Sequence, residues 1–141
     1  MSYNQKIHSL NIGIQKSLLL NEYPQFHVTT TSPKTLKCVG SLQPTSRSTT
    51  YNFEMRYKIG YRPKIKILKP SLIKNFKGDQ IPHTFSGNEP CLYYKNDFNS
   101  SMPIAKTIIP WLSLWLYFYE DWHITGIWNG GGIPHPTSRR K

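Results

Sequence analysis

The chain has 141 residues, and its 18 Lys and Arg against 7 Asp and Glu give a formal net charge of +11 at pH 7. That length suits one domain with its own core, and an aromatic content of 13%, including four Trp and nine Tyr, supplies the apolar area of a folded chain rather than a disordered one. Two cysteines exclude a disulfide framework and a thiolate zinc cluster, while the charge either attracts an anionic partner, whether nucleic acid, a membrane surface or an acidic protein, or serves only to keep the protein soluble.

Residues 3–20 place Ile7, Leu10, Ile14 and Leu18 at spacings of three and four, which predicts an opening helix buried along that face, weakened slightly by Gly13. Residues 21–33 contain Pro24, three consecutive threonines and Ser32-Pro33, and are expected to be extended or looped. From Thr35 the period becomes two. Leu36, Cys38, Gly40 and Leu42 share one strand face, which makes Cys38 a core residue, and residues 44–50 form a polar turn. Tyr51, Phe53, Met55, Tyr57 and Ile59 then alternate with Asn52, Glu54, Arg56 and Lys58, the signature of a strand buried on one side. After Gly60-Tyr61-Arg62-Pro63, Ile65 and Ile67 alternate with Lys64 and Lys66 until Pro70 ends the run. Three strands joined this way make an antiparallel meander.

Residues 71–80 read as a solvated connection leading to Ile81-Pro-His-Thr-Phe-Ser-Gly-Asn-Glu-Pro-Cys-Leu-Tyr-Tyr94, the one segment with the composition of a site. Cys91 follows Gly87, Asn88 and Pro90, so it leaves a turn on a loop carried by the meander. An accessible thiolate with hydrogen-bond donors nearby suits acyl transfer; the competing reading is a packed thiol, since free cysteine is often buried. Lys74, Lys77 and Lys95 are either cations that favour the thiolate or merely solvated charges. His83 either orients the loop or acts as a base, and Asp97 reads as an ordinary loop carboxylate.

Residues 94–102 are polar, and a helix is expected from near Pro110, with Trp111, Leu114, Trp115, Phe118 and Trp122 as a buried stripe widened by Leu112 and Leu116. The apolar run at 107–119 is shorter than the ~20 residues of a spanning helix, and the first residues lack the apolar core of a signal peptide, so a cytoplasmic protein is expected. His123 stands where it could cap the helix C-terminus. Gly126 and Gly130 to Gly132 end regular structure, His135 has no role that its neighbours define, and residues 138–141 form a basic end. No spacing of His, Asp or Glu suits a metal, and the glycines lack the context of a phosphate loop, so no cofactor or metal is expected.

An opening helix, a basic meander, a loop with histidine, a lone Cys-Leu and a buried helix together resemble the ubiquitin-conjugating E2 enzymes over roughly residues 3–122. In that family a His-Pro-Asn motif precedes a cysteine that carries the C-terminus of a ubiquitin-like protein as a thioester. Here His83-Thr84-Phe85 stands in place of the motif and Pro90-Cys91-Leu92 in place of the cysteine and its leucine. More closely, Cys91-Leu-Tyr-Tyr94, Ile108-Ile-Pro-Trp-Leu-Ser-Leu-Trp-Leu-Tyr-Phe-Tyr-Glu-Asp-Trp122 and Thr125-Gly-Ile-Trp-Asn-Gly-Gly-Gly-Ile-Pro-His135 are similar to the bacterial E2-like proteins of short CBASS antiphage operons.

The resemblance implies an α+β E2-like fold, with a single catalytic domain over 1–136 and a basic tail at 137–141. It also implies a transferase with Cys91 as nucleophile and His83 beside it, whose partner is the C-terminal tail of a cGAS-like nucleotidyltransferase primed for antiviral signalling. Two departures stand out: the interval from His83 to Cys91 is a couple of residues short, and Phe85 replaces the asparagine that steadies the oxyanion, leaving Asn88 as a substitute amide. Such a site is expected to form thioesters and to pass them poorly to lysine. The alternative is a basic module without chemistry, holding single-stranded nucleic acid through phosphate contacts and stacking on Tyr93, Tyr94 and Phe98, or scaffolding a partner.

Overall fold

A computed structural model describes residues 8–130 of the chain. In order these form α1 (Ile12–Glu22), β1 (His27–Ser32), β2 (Thr35–Leu42), β3 (Tyr51–Lys58), β4 (Lys64–Lys69), β5 (Thr84–Ser86), β6 (Glu89–Pro90), a 3-10 turn at Ile104–Lys106 and α2 (Ile108–Thr125). The first four strands make one antiparallel sheet in chain order. The meander therefore has one strand more than the period-two pattern predicts: β1 comes from the threonine-rich segment, whose side chains are mostly exposed and so carry no alternation to read.

The alternation in β3 is realised in full, with Tyr51, Phe53, Met55 and Tyr57 buried. They share one core with Leu36 and Cys38 of β2, Ile65 and Ile67 of β4, and the buried sides of α1 and α2. Gly40 continues the inward face of β2 because Phe26 lies against it: a Cβ there would stand 2.4 Å from the ring. Phe26 is itself fixed by stacking on Tyr23 and by an edge contact with Phe53.

The opening helix differs from its predicted face. It begins at Ile12, capped by the Asn11 side chain, which accepts from the Ile14 N–H at 2.9 Å. Its buried residues are Ile12, Gln15 and Leu19, while Ile14 is exposed and Leu18 only half-buried. Gln15 can be buried because its amide meets two backbone groups, donating to the Met102 carbonyl and accepting from the Ile104 N–H, each at 3.0 Å. Ile7 lies outside the described residues, as do His135 and the basic tail.

α2 has Pro110 in its first turn as expected and ends at Gly126 in the left-handed region. Its core side is Ile108, Ile109, Leu112, Trp115, Leu116, Tyr119 and Trp122. Leu114 is exposed, and Trp111 and Phe118 are half-buried, so three of the five residues of the predicted stripe lie off the buried side. Glu120 ties the helix to the β2–β3 loop by accepting from Ser48 Oγ, the Thr49 N–H and the Tyr51 hydroxyl. Among the described residues no helix is long and apolar enough to cross a membrane.

Candidate active site

β5 and β6 form a short hairpin, with Thr84 opposite Pro90 and Ser86 opposite Glu89, around Gly87 at φ 38°. It is stitched to the end of the main sheet by Asn88, whose backbone carbonyl accepts from Ile67 and whose side-chain oxygen accepts from the Leu72 N–H, both at 2.9 Å. Cys91 is the first residue beyond β6.

Behind it stands His83, a non-glycine residue at φ 53°. That left-handed backbone costs roughly 1–2 kcal/mol, and here it points one carbonyl at two donors, the Cys91 N–H at 2.7 Å and the Trp115 indole N–H at 3.1 Å. The position of the cysteine is thereby fixed to the middle of α2 through a single peptide oxygen. The His83 ring packs against Trp128, with centroids 5.3 Å apart.

Cys91 is half-buried and opens into a groove of about 360 Å³. The groove is walled by Tyr93, Tyr94, Trp111, Leu114, Trp115, Phe118 and Trp128, and His83 and Asp97 also line it. Asp97 closes a tight turn by accepting from the Tyr94 N–H at 3.2 Å. The Cys91 thiol donates to the Tyr93 carbonyl at 3.7 Å. Burial pushes its pKa above the ordinary 9.0, opposed by a backbone hydrogen bond at Tyr93 and by the Arg62 guanidinium, with Glu89 adding to the rise.

Arg62 is held in place twice, by an ion pair with Glu89 at 2.6 Å and by the Phe85 ring, whose centroid lies 3.8 Å away. A family model described as Type II CBASS E2 protein matches residues 15–136. The chain belongs to this family. No curated protein matches it.

In this CBASS E2 the fold thus brings Cys91, His83 and Asp97 to one groove, and it corrects several expectations around them. Arg62 is the cation acting on the thiol, in place of Lys74, Lys77 and Lys95; Lys77 instead pairs with Asp79 at 3.5 Å. Asn88, the expected substitute for the motif asparagine, does not line the groove, and its side-chain oxygen accepts from the Leu72 N–H. Phe85, standing where that asparagine would be, covers Arg62. His123 does lie in the last turn of α2, as expected, with its ring 3.1 Å from the Ile73 carbonyl. Phe98 is buried against Tyr57 and Tyr93, which removes it from any platform for stacking bases. Sequence reasoning missed Arg62 and the groove wall; the one signal for the wall was a helical stripe too wide for a single core.

Proposed function

We propose that this E2 accepts the C-terminal tail of a partner protein on Cys91 as a thioester, and that the partner is the nucleotidyltransferase of its own defence system, which the linkage primes for signalling. The observation that carries this reading is the position of Cys91: a thiol at the floor of an open aromatic groove, in a member of an E2 family. An extended tail fits such a groove with its apolar side chains against Trp111, Leu114 and Phe118 and its terminal carbonyl over the sulfur.

The carboxyl must arrive activated, as an acyl adenylate or another thioester, because a free carboxylate resists displacement by a thiol. The Cys91 thiolate then attacks the acyl carbon, the old leaving group departs with its electron pair, and the thiol proton goes to solvent. Arg62 raises the thiolate fraction against the cost of burial. His83 is a positioning residue: its carbonyl holds the cysteine backbone, and displacement between thiol-like leaving groups needs no strong base. Without the motif asparagine, onward transfer to lysine lacks one oxyanion donor.

The test is co-expression with the partner nucleotidyltransferase and electrophoresis without reductant. Wild type is expected to give an adduct that thiols cleave, and Cys91→Ser either a thiol-resistant ester or none. An adduct that persists in Cys91→Ala and resists reductant overturns the reading.

A further inference from the structure

The face of the sheet turned away from the core carries an arrangement that folding alone does not favour. Lys37 stands directly opposite Arg56, and Arg56 directly opposite Lys64, so like charges form a row across β2, β3 and β4. Adjacent strands lie ~4.8 Å apart, and like charges in direct opposition destabilise a sheet. Lys58 and Lys66 extend the row along β3 and β4 on the same side, by the period of two. Glu54 is the carboxylate of this face, and it is already occupied by Arg56 at 2.6 Å.

At one end the row borders a depression of about 360 Å³ lined by Lys37, Arg56, Lys58, Tyr61, Arg62 and Lys64, among others. Tyr61 is 63% exposed there, with the Lys58 ammonium 4.9 Å from its ring centroid. Cys91 does not line this depression.

The composition decides what kind of partner fits. Protein interfaces bury an apolar or aromatic centre and are depleted in lysine, whereas here the central positions are Lys37, Arg56 and Lys64, with Thr29 next in line. Interfaces with nucleic acid are polar and strongly positive. We infer that the outer face of the sheet binds the phosphate backbone of nucleic acid without reading sequence. The row supplies the phosphate contacts, and Tyr61 offers one exposed ring to a base.

Binding is measured by fluorescence anisotropy with labelled single-stranded and duplex DNA of mixed sequence, across a salt series. Counterion release lowers log K by about 0.9 per decade of salt for each duplex phosphate neutralised, and by about 0.7 for single strands. The double variant Lys37→Gln/Lys64→Gln is expected to flatten the duplex slope by about 2 and to weaken binding at least about tenfold at low salt. It leaves Arg56 and its partner intact, and its melting temperature should equal or exceed that of wild type, because the opposed charges are gone.

The control is Lys16→Gln/Lys74→Gln, which removes the same charge elsewhere and should change binding little. An equal loss in the control reduces the effect to bulk charge and overturns the inference. Failure of wild type to bind either DNA, while it binds a polyglutamate peptide, overturns it in favour of an acidic protein partner.

Discussion

Cys38 and Cys91 are the same residue in two regions built on different principles. Cys38 lies in the middle of β2, paired to Val28 on one side and Met55 on the other, and it has no exposed surface. Burial alone pushes its pKa up to about 12. Cys91 lies at the end of a short hairpin, where burial also raises the pKa but Arg62 and a backbone hydrogen bond oppose it, and where the thiol reaches an open groove. Desolvation is thus common to both thiols; access and an opposing charge distinguish the second. The strands supply rigidity, and the hairpin, joined to β4 by Asn88 and to α2 by the His83 carbonyl, carries the thiol to the groove.

The comparison is tested first by deletion, where the contrast is largest. Cys91→Ala is expected to abolish the thiol-sensitive adduct, while Cys38→Ala should retain it at a cost of about 1–2 kcal/mol in stability from the lost packing; electrophoresis and denaturant melts separate the two. Next comes alkylation of the native protein, followed by mass spectrometry. Cys38 reacts only when the sheet opens, an event that a stability of about 5 kcal/mol makes rarer than one in 10³, so Cys91 should be modified at least about a thousandfold faster. The rate at Cys91 should still climb above pH 9.0: its raised pKa keeps the thiolate a minority where an ordinary cysteine is half ionised. A plateau below pH 8 would mean that Arg62 prevails over burial.

The rigid region was far more legible in the sequence than the region around Cys91. Strict alternation from Tyr51 to Tyr57 needs only a core on one side, and it is read without knowing what the core contains. Gln15 shows where that logic stops, since its burial depends on carbonyl and N–H groups of residues 102 and 104, which no local pattern announces. Within the site, Cys91 and His83 were marked by the turn residues between them. Arg62 was not, because its charge acts on the thiol from the β3–β4 turn, outside the groove lining, and the aromatic wall was hidden by α2 serving two purposes: Leu112 and Leu116 fill the core while Trp111 and Leu114 face the groove. Phe85 became intelligible only when its ring was seen against Arg62.

A smaller effect sharpens the role of that arginine. Arg62→Gln removes the cation that favours the thiolate, together with its contacts to Phe85 and Glu89, and leaves the backbone hydrogen bond at Tyr93 to oppose burial and Glu89. The direction is fixed: the pKa of Cys91 rises further, and alkylation at pH 7.5 slows. The loss is expected to be about three- to tenfold, and the whole pH–rate curve should move to higher pH without a change in its upper limit. A lowered limit with an unmoved midpoint would instead assign Arg62 to tail binding.

The smallest expected effect is the most discriminating for His83. Asparagine tolerates the left-handed region better than most residues, so His83→Asn keeps the backbone at φ 53° and with it the carbonyl that accepts from Cys91 and Trp115. The imidazole ring is lost, and with it the packing on Trp128. If the peptide oxygen is what positions the thiol, thioester formation should stay within about threefold of wild type, whereas loss of a general base costs about 10²–10⁴. A proline at the same position cannot adopt the positive φ; it should disturb the hairpin and slow the reaction far more than the loss of the imidazole does, which places the function of His83 in its backbone.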